Sequence, residues 1–335
     1  MKKYYISKNY ADKFTASSKA KIDCEIIAEK CGYVNIGLPR KVISSKFLGR
    51  VYTVLSDIVA LIRMPKDSLI FLQFPVLWYS YLLKCACKRG NKVITIIHDL
   101  DILRGFSDKP DISCLQKSDV VIVHTESMKK WCEDNLHLNK VIVLDIFDYL
   151  YDFEFTPNAN NHNNGIIRIA FAGNLSKSEF IDQLKFSDRI EYRLFGVGFN
   201  NRHIHGDNIK YIGSFPADLL WHELNSDFGL VWDGNSLSEC SGRYGSYLKY
   251  ISPHKLSLYI SCGLPVIVWK ESAMSNFVEK NNIGLTISSI SELDRIIENP
   301  DFKLLYNKFL ENVSIVRNNI ISGYYLRKAL ESAEG

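Results

Sequence analysis

Ser252-Pro253-His254-Lys255 opens a segment that runs from Leu256 to Cys262 and then meets Gly263-Leu264-Pro265-Val266-Ile267-Val268. Leu256, Tyr259 and Ile260 share one helical face, Pro253 favours a helix start, and Gly263 favours a helix end. His254 and Lys255 then sit in the first helical turn, where cations oppose the helix dipole. That placement makes chemical sense if the turn holds something strongly anionic, such as a diphosphate. A solvated helix start is the plainer alternative.

Four further constellations could carry chemistry. In Phe171-Ala172-Gly173-Asn174-Leu175-Ser176-Lys177-Ser178, an apolar strand ends in Gly-Asn. Glycine lets backbone approach a ligand, Ser176 or Ser178 could cap a following helix whose N–H groups suit phosphate, and Lys177 adds charge. An ordinary strand-to-helix turn would look the same. His98-Asp99-Leu100-Asp101 follows the apolar run Val93–Ile97 and offers a general base for an acceptor hydroxyl. Asp99 and Asp101 also form a short D-x-D pattern of the kind that elsewhere holds a divalent metal, against the alternative of a capped turn. Phe195-Gly196-Val197-Gly198 and Asp233-Gly234-Asn235 are weaker strand-end turns. His203-Ile204-His205 is a poor metal site, since no carboxylate or thiol stands near it in sequence.

These residues must be positioned by strands and helices. The first half alternates strand candidates (3–7, 33–37, 69–74, 92–98, 119–124, 140–146) with helical stretches (17–31, 45–64, 78–89, 127–136). Several strands are apolar throughout, as strands covered on both faces are. Residues 157–165 are polar and rich in turn formers and read as a linker. The rhythm then restarts with strands at 166–172, 191–195, 209–212, 228–232, 265–269 and 285–287. Helices are expected at 216–225, 254–262, 272–280 and 291–298, with a long helical tail from 302 broken near Gly323. A repeated βαβα pattern predicts two doubly wound parallel sheets, with a cleft between them and ligands beyond the carboxyl ends of the strands. The expected division is 1–155, 156–315, and a C-terminal helix at 316–335. The polar loop from Ser7 to Lys21, with Asn9, Thr15, Ser17 and Ser18, either lines that cleft or is a plain crossover.

Composition narrows the class. The chain has 335 residues, 47% hydrophobic and 23% charged, which suits two globular domains. A net charge of +4 fits an anionic ligand or membrane surface, while no dense basic run beside aromatic residues points to nucleic acid. No signal-peptide pattern follows Met1-Lys2-Lys3, and the uncharged stretch from Ser68 to Leu83 is too short to span a bilayer. The eight cysteines, with Cys85-Ala86-Cys87 the only close pair, read as reduced thiols of a cytoplasmic protein. Arg40 to Arg50 is basic with interleaved apolar residues; it reads either as a membrane-surface segment or as a surface helix with a buried face. The absence of G-x-G-x-x-G after the first strand argues against a dinucleotide-dependent dehydrogenase.

With these pieces in place, the chain resembles GT-B glycosyltransferases, specifically the bacterial galactofuranosyltransferases of polysaccharide clusters. It is also similar to the glucosyltransferases that extend sugars on serine-rich adhesins. The block Pro253-His254-Lys255-Leu256 with Gly263-Leu264-Pro265-Val266-Ile267 carries most of the resemblance, together with 19–37, 69–75, 98–101, 118–126, Gly173-Asn174 and 227–232. The resemblance implies an α/β GT-B architecture, two Rossmann-like domains facing across a cleft, and a UDP-sugar donor held by the C-terminal domain. It implies donor contacts at Gly173, Asn174 and Lys177, at Ser214 and Phe215, at Tyr250, Ser252, His254 and Lys255, and at Ala16 from the N-terminal domain. It further implies homo-oligomers, as dimers or tetramers, and a last helix that returns to the first domain. A glycan acceptor, lipid-linked or on the surface, and peripheral contact with the membrane from the cytoplasm complete the expectation. No cofactor or metal is required if protein groups neutralise the diphosphate. Many GT-B enzymes carry E-x7-E near the donor helix; here no Glu follows Lys255 until Glu271. The catalytic expectation therefore rests on Asp99, Asp101 and His98. A glucosyltransferase and a non-catalytic sugar-nucleotide-binding subunit are the alternatives.

Overall fold

The computed structural model describes residues 1–10, 16–106, 112–151, 165–200, 206–217 and 219–335. The chain divides into two compact units: residues 1–148 with 323–335, and residues 149–322. The linker at 157–164, His203 and His205 lie outside the described residues. So do Thr15 and the side chains of Ala16 and Ser17.

The first unit is built on a six-stranded, wholly parallel sheet. Its strands are β1 (Lys3–Tyr5), β2 (Val34–Asn35), β3 (Leu69–Phe74), β4 (Lys92–Ile97), β5 (Val120–Val123) and β6 (Val141–Val143), in the order β2-β1-β3-β4-β5-β6. β3 and β5 are buried from end to end. That explains their unbroken apolar sequences, because helices cover both faces of such a sheet. Register pairs Phe74 with Ile97, so the carboxyl ends of β3 and β4 finish level. Four helices follow strands in turn: α1 (Ala16–Lys30), α2 (Lys46–Arg63), α3 (Tyr79–Lys88) and α4 (Glu126–Leu136). Thr125 caps α4 by accepting the Met128 N–H.

The second unit has strands β7 (Ile167–Ala172), β8 (Ile190–Phe195), β9 (Ile209–Gly213), β10 (Phe228–Val231), β11 (Val266–Trp269) and β12 (Gly284–Ile287). Their order is β12-β11-β10-β7-β8-β9, again all parallel. Its helices are α5 (Gly242–Tyr247), α6 (His254–Ser261), α7 (Ser275–Asn281), α8 (Leu293–Ile297) and α9 (Phe302–Ser322). Phe171, Phe180, Phe228, Trp232 and Trp269 anchor its core.

Helix α10 (Tyr324–Glu334) belongs to the first unit. Its first turn is held by the buried Asp148 carboxylate, which accepts the N–H groups of Tyr325 at 3.1 Å and Leu326 at 2.8 Å. A carboxylate there satisfies two helix-end donors and complements the dipole. Gly323 breaks the tail with φ 77°.

Three elements differ from the sequence expectation. Among the described residues of 216–225 the chain forms a 3-10 turn, Leu220–His222, closed by the His222 and Glu223 N–H groups on the Leu219 and Leu220 carbonyls. α5 was not anticipated; its glycines at 242 and 245 hide it. After Asn174 the chain makes two short 3-10 turns, Leu175–Lys177 and Glu179–Gln183, rather than a helix. No helix dipole therefore stands behind the Gly173-Asn174 turn.

Candidate functional site

In the second unit the strand order reverses between β7 and β10, the position where a doubly wound sheet opens a crevice beyond its carboxyl ends. Gly173 follows β7 and Asp233 follows β10, so two of the sequence candidates stand on either side of this switch point. Lys255 joins them. Its Nζ donates to Asp233 Oδ2 at 2.8 Å and to the Trp232 carbonyl at 3.2 Å, and lies 4.6 Å from the centre of the Phe171 ring. The same ammonium lies 4.0 Å from where a side chain on Gly173 would begin. Lys255 is thus held over a bare glycine by a carboxylate, a carbonyl and an aromatic face.

The Gly173-Asn174 turn is braced from three sides. Asn174 Oδ1 accepts from Ser176 N–H at 3.2 Å and Ser176 Oγ at 2.7 Å, so Asn174, not Ser176 or Ser178, is the cap. Gly173 and Leu175 N–H donate to the carbonyls of Phe195 and Val197, both at 2.9 Å. Gly196 makes this approach feasible: at φ +132°, any Cβ there would lie 1.8 Å from the Gly173 carbonyl oxygen. From beneath, the buried Tyr259 of α6 passes its ring over Gly229, and its hydroxyl accepts the Ala172 N–H at 2.7 Å. Burial raises the Tyr259 phenol well above its ordinary value, so it stays protonated.

The remaining donor candidates lie after β7 and β9 and at the start of α6. Pro253 caps α6 with extended backbone, and His254 lies 5.9 Å from Tyr149, ring to ring. Ser252 is buried and Tyr250 half-buried. Lys177 is exposed, its ammonium 4.7 Å from the Tyr244 ring centre. Ser214 is exposed after β9, and the Phe215 ring lies 6.5 Å from that of Phe195. A cavity of about 210 Å³ beside the turn is lined by Ser176, Glu179, Asp182, Gly198 and Phe199. Two carboxylates in its wall suit the hydroxyls of a sugar better than a phosphate.

The first unit reverses strand order between β1 and β3. Here the rim is made of paired charges. Lys8 donates to the Leu77 carbonyl at 3.1 Å and pairs with buried Asp57 at 2.6 Å. Lys21 donates to the Pro75 carbonyl at 3.1 Å. Burial lowers both ammonium groups below the usual lysine range, while Asp57 and Asp99, respectively, work against that shift. Glu25 is fully buried and accepts from Ser7 Oγ at 2.7 Å, from Arg40 at 3.2 Å and from Tyr10 Oη. Burial pushes its carboxyl up to about 7, against the pull of these donors.

Asp99 and Asp101 are brought together by Arg104. Its guanidinium pairs with Asp99 at 2.5 Å and with Asp101 at 3.4 Å, and the two carboxylate side chains are 30% and 37% exposed. A cation bound by this D-x-D would have to compete with Arg104. Among the described residues no group of three His, Cys, Asp or Glu is arranged to hold a metal. His98 is buried: Nε2 is 2.7 Å from Gln73 Oε1, and its ring stacks on Phe147 at 5.5 Å and 14°. His124 packs edge-on against the same ring, and burial lowers it to about 4. Arg104, Lys21, Tyr259 and the Lys255–Asp233 pair were not singled out by sequence reasoning. The available signals were an arginine three residues past the D-x-D and a glycine, Gly229, inside an apolar strand.

Residues 3–146 match the N-terminal domain, and residues 169–333 the C-terminal domain, of the family described as glucosyltransferase 3-like. The chain is 33% identical to the beta-1,6-galactofuranosyltransferase WbbI of Escherichia coli K12, over 98% of this chain and 97% of that one. It is 27% identical to glucosyltransferase 3 of Streptococcus gordonii, over 72% and 70% respectively. In fold it is similar to Anabaena HepE, solved with UDP-glucose, at TM-score 0.59 and 14% identity, over 98% of this chain and 99% of that one.

Proposed function

The chain belongs to the glucosyltransferase 3-like family of GT-B glycosyltransferases, and from that membership we propose that it moves galactofuranose from its UDP-sugar to a hydroxyl of a surface-glycan acceptor. The observation that carries the donor half is Lys255 at the β7/β10 switch point, held by Asp233 and facing bare Gly173. In the transfer, the bond from the anomeric carbon to the UDP oxygen breaks, and its electron pair stays on the diphosphate. Lys255, held in place by Asp233, stabilises that growing charge, which a preorganised donor does at little reorganisation cost. The contacts assigned to Ala16, Lys177, Ser214, Phe215, Tyr250, Ser252 and His254 belong to the same donor proposal.

The acceptor oxygen forms the new bond to the anomeric carbon and gives its proton to a carboxylate. Asp101 suits that role better than Asp99, being more exposed and more loosely paired with Arg104. His98, buried against Phe147 and Gln73, positions the turn. Galactofuranose is preferred over glucose because identity to WbbI is higher and covers nearly the whole chain. A lipid-linked acceptor, a homo-oligomer and work at the inner face of the cytoplasmic membrane complete the proposal. No helix among the described residues is long and apolar enough to cross a membrane.

The test is a turnover screen of UDP-sugars against a panel of acceptor glycans. Transfer from UDP-galactofuranose supports the proposal. Transfer from UDP-glucose alone replaces the donor, and UDP binding with no turnover on any sugar nucleotide reduces the protein to a binding subunit.

A further inference from the structure

Helix α2 is amphipathic with its polarity reversed. Its inward side is small and polar: Gly49, Ser56, Asp57 and Ala60 are buried. Ser56 Oγ accepts the Leu38 N–H at 2.9 Å and donates to the Ser7 carbonyl at 2.7 Å, while Asp57 pairs with Lys8. The outward side carries Phe47, Leu48, Val51, Leu55, Ile58 and Ile62, all exposed, with Phe47 at 75% and Ile62 at 73%. At ~100° per residue these six side chains fall within an arc of about 100°, the width of the stripe that a surface helix ordinarily turns to its core. Soluble proteins rarely leave so continuous an apolar strip in water.

Charge indicates what covers it. The one acid in α2 is Asp57, on the buried side; Lys46, Arg50 and Arg63 are exposed, with Lys41 before the helix and Lys66 after it. The next exposed acid is Asp67, past the helix end. α3, which packs beside α2, contains no acid and adds exposed Tyr81, Lys84 and Lys88. A two-fold contact of this face with a second copy would set like charges against each other. An anionic bilayer complements both the charge and the apolar strip.

We propose that α2 is a bilayer-docking helix that lies in the plane of an anionic membrane. Phe47, Leu48, Val51, Leu55, Ile58 and Ile62 enter the boundary between headgroups and acyl chains, and the flanking lysines and arginines sit at the phosphates. The strip from Phe47 to Ile62 runs about 22 Å along the surface at ~1.5 Å per residue. This deepens the lipid-linked acceptor reading but is separable from it, because docking can fail while transfer to a water-soluble acceptor persists.

The test is co-sedimentation of the full chain with vesicles of phosphatidylcholine alone, or with one part in three phosphatidylglycerol. Salt-sensitive binding to the anionic vesicles only is expected. The double variant Phe47→Ser/Ile62→Ser should weaken it about tenfold, and Lys46→Glu/Arg50→Glu should weaken it at least as much. Both variants should keep transfer to a soluble acceptor, which also reports correct folding. No vesicle binding by the wild type, or equal binding by both double variants, overturns the proposal. So does light scattering that shows a wild-type dimer turned monomeric by Phe47→Ser/Ile62→Ser without vesicle binding, which would assign the strip to a second copy.

Discussion

The carboxyl rims of the two units use opposite materials. In the second unit the rim is mostly glycine and backbone, with one ion pair over it: Gly173, Gly196 and Asn174 shape the turn, and Lys255, paired with Asp233, supplies the positive charge. In the first unit the rim is side-chain charge already paired within the protein: Lys8 with Asp57, Arg104 with Asp99 and Asp101, and Glu25 with Arg40, Tyr10 and Ser7. The difference fits two kinds of ligand. A diphosphate is the same in every sugar nucleotide and suits one fixed ammonium over a rim that no side chain crowds. An acceptor sugar is neutral and particular, and is served by polar side chains whose geometry other side chains fix.

The sharpest way to break the donor rim is Gly196→Val. The new side chain meets the Gly173 carbonyl at a backbone angle that disfavours it, so we expect a loss of more than about 4 kcal/mol of stability in the second unit. Calorimetry and UDP titration should both show it. Lys255→Ala leaves the backbone intact and should cut kcat/KM by about 10²–10³ while weakening UDP binding; a variant with normal turnover and affinity would remove Lys255 from the mechanism. On the acceptor rim, Asp101→Asn should lower kcat about 100-fold with UDP affinity unchanged, and Asp99→Asn should cost less. The opposite ranking would exchange their roles.

Glu25→Gln probes the paired charges with the smallest effect. The folded-state value near 7 lies above the ordinary 4.5, so the folded chain holds a proton that the unfolded chain releases between those values. Stability from this group is complete below about pH 4.5 and falls as pH rises to about 7. His124 works in the opposite sense: its folded value near 4 lies below the ordinary 6.5, so stability from it grows as pH rises through that window. The glutamine variant should therefore lose the falling component in denaturation curves and keep the rising one.

Much of the scaffold was legible in the sequence because buried parallel strands advertise themselves. Leu69–Phe74 and Ile167–Ala172 are apolar on every residue but Gln73 and Arg168, and so short an apolar run between polar turns favours a strand. What was not legible depends on contacts distant in sequence. Residues 216–225 carry a helical pattern, yet Tyr149 Oη donates to the Ala217 carbonyl and the described residues form a 3-10 turn at Leu220–His222. Gly173, Asp233 and Lys255 were each noticed, but their meeting requires β7 and β10 to be neighbours, which no local pattern states. The stripe on α2 was legible as a period; its outward direction was fixed by Lys8 and Ser7 claiming the small polar side.

The Asp148 link to Tyr325 and Leu326 has a consequence for how the chain is made. The second unit, 149–322, is an insertion within the first, whose helix α10 is synthesised after the whole of the second unit. During translation the inserted unit can fold as soon as it emerges, whereas the first waits for residues 323–335 to arrive. The first unit is begun before the second and completed after it, and a chain that stops short of α10 leaves the first unit without the helix that Asp148 holds.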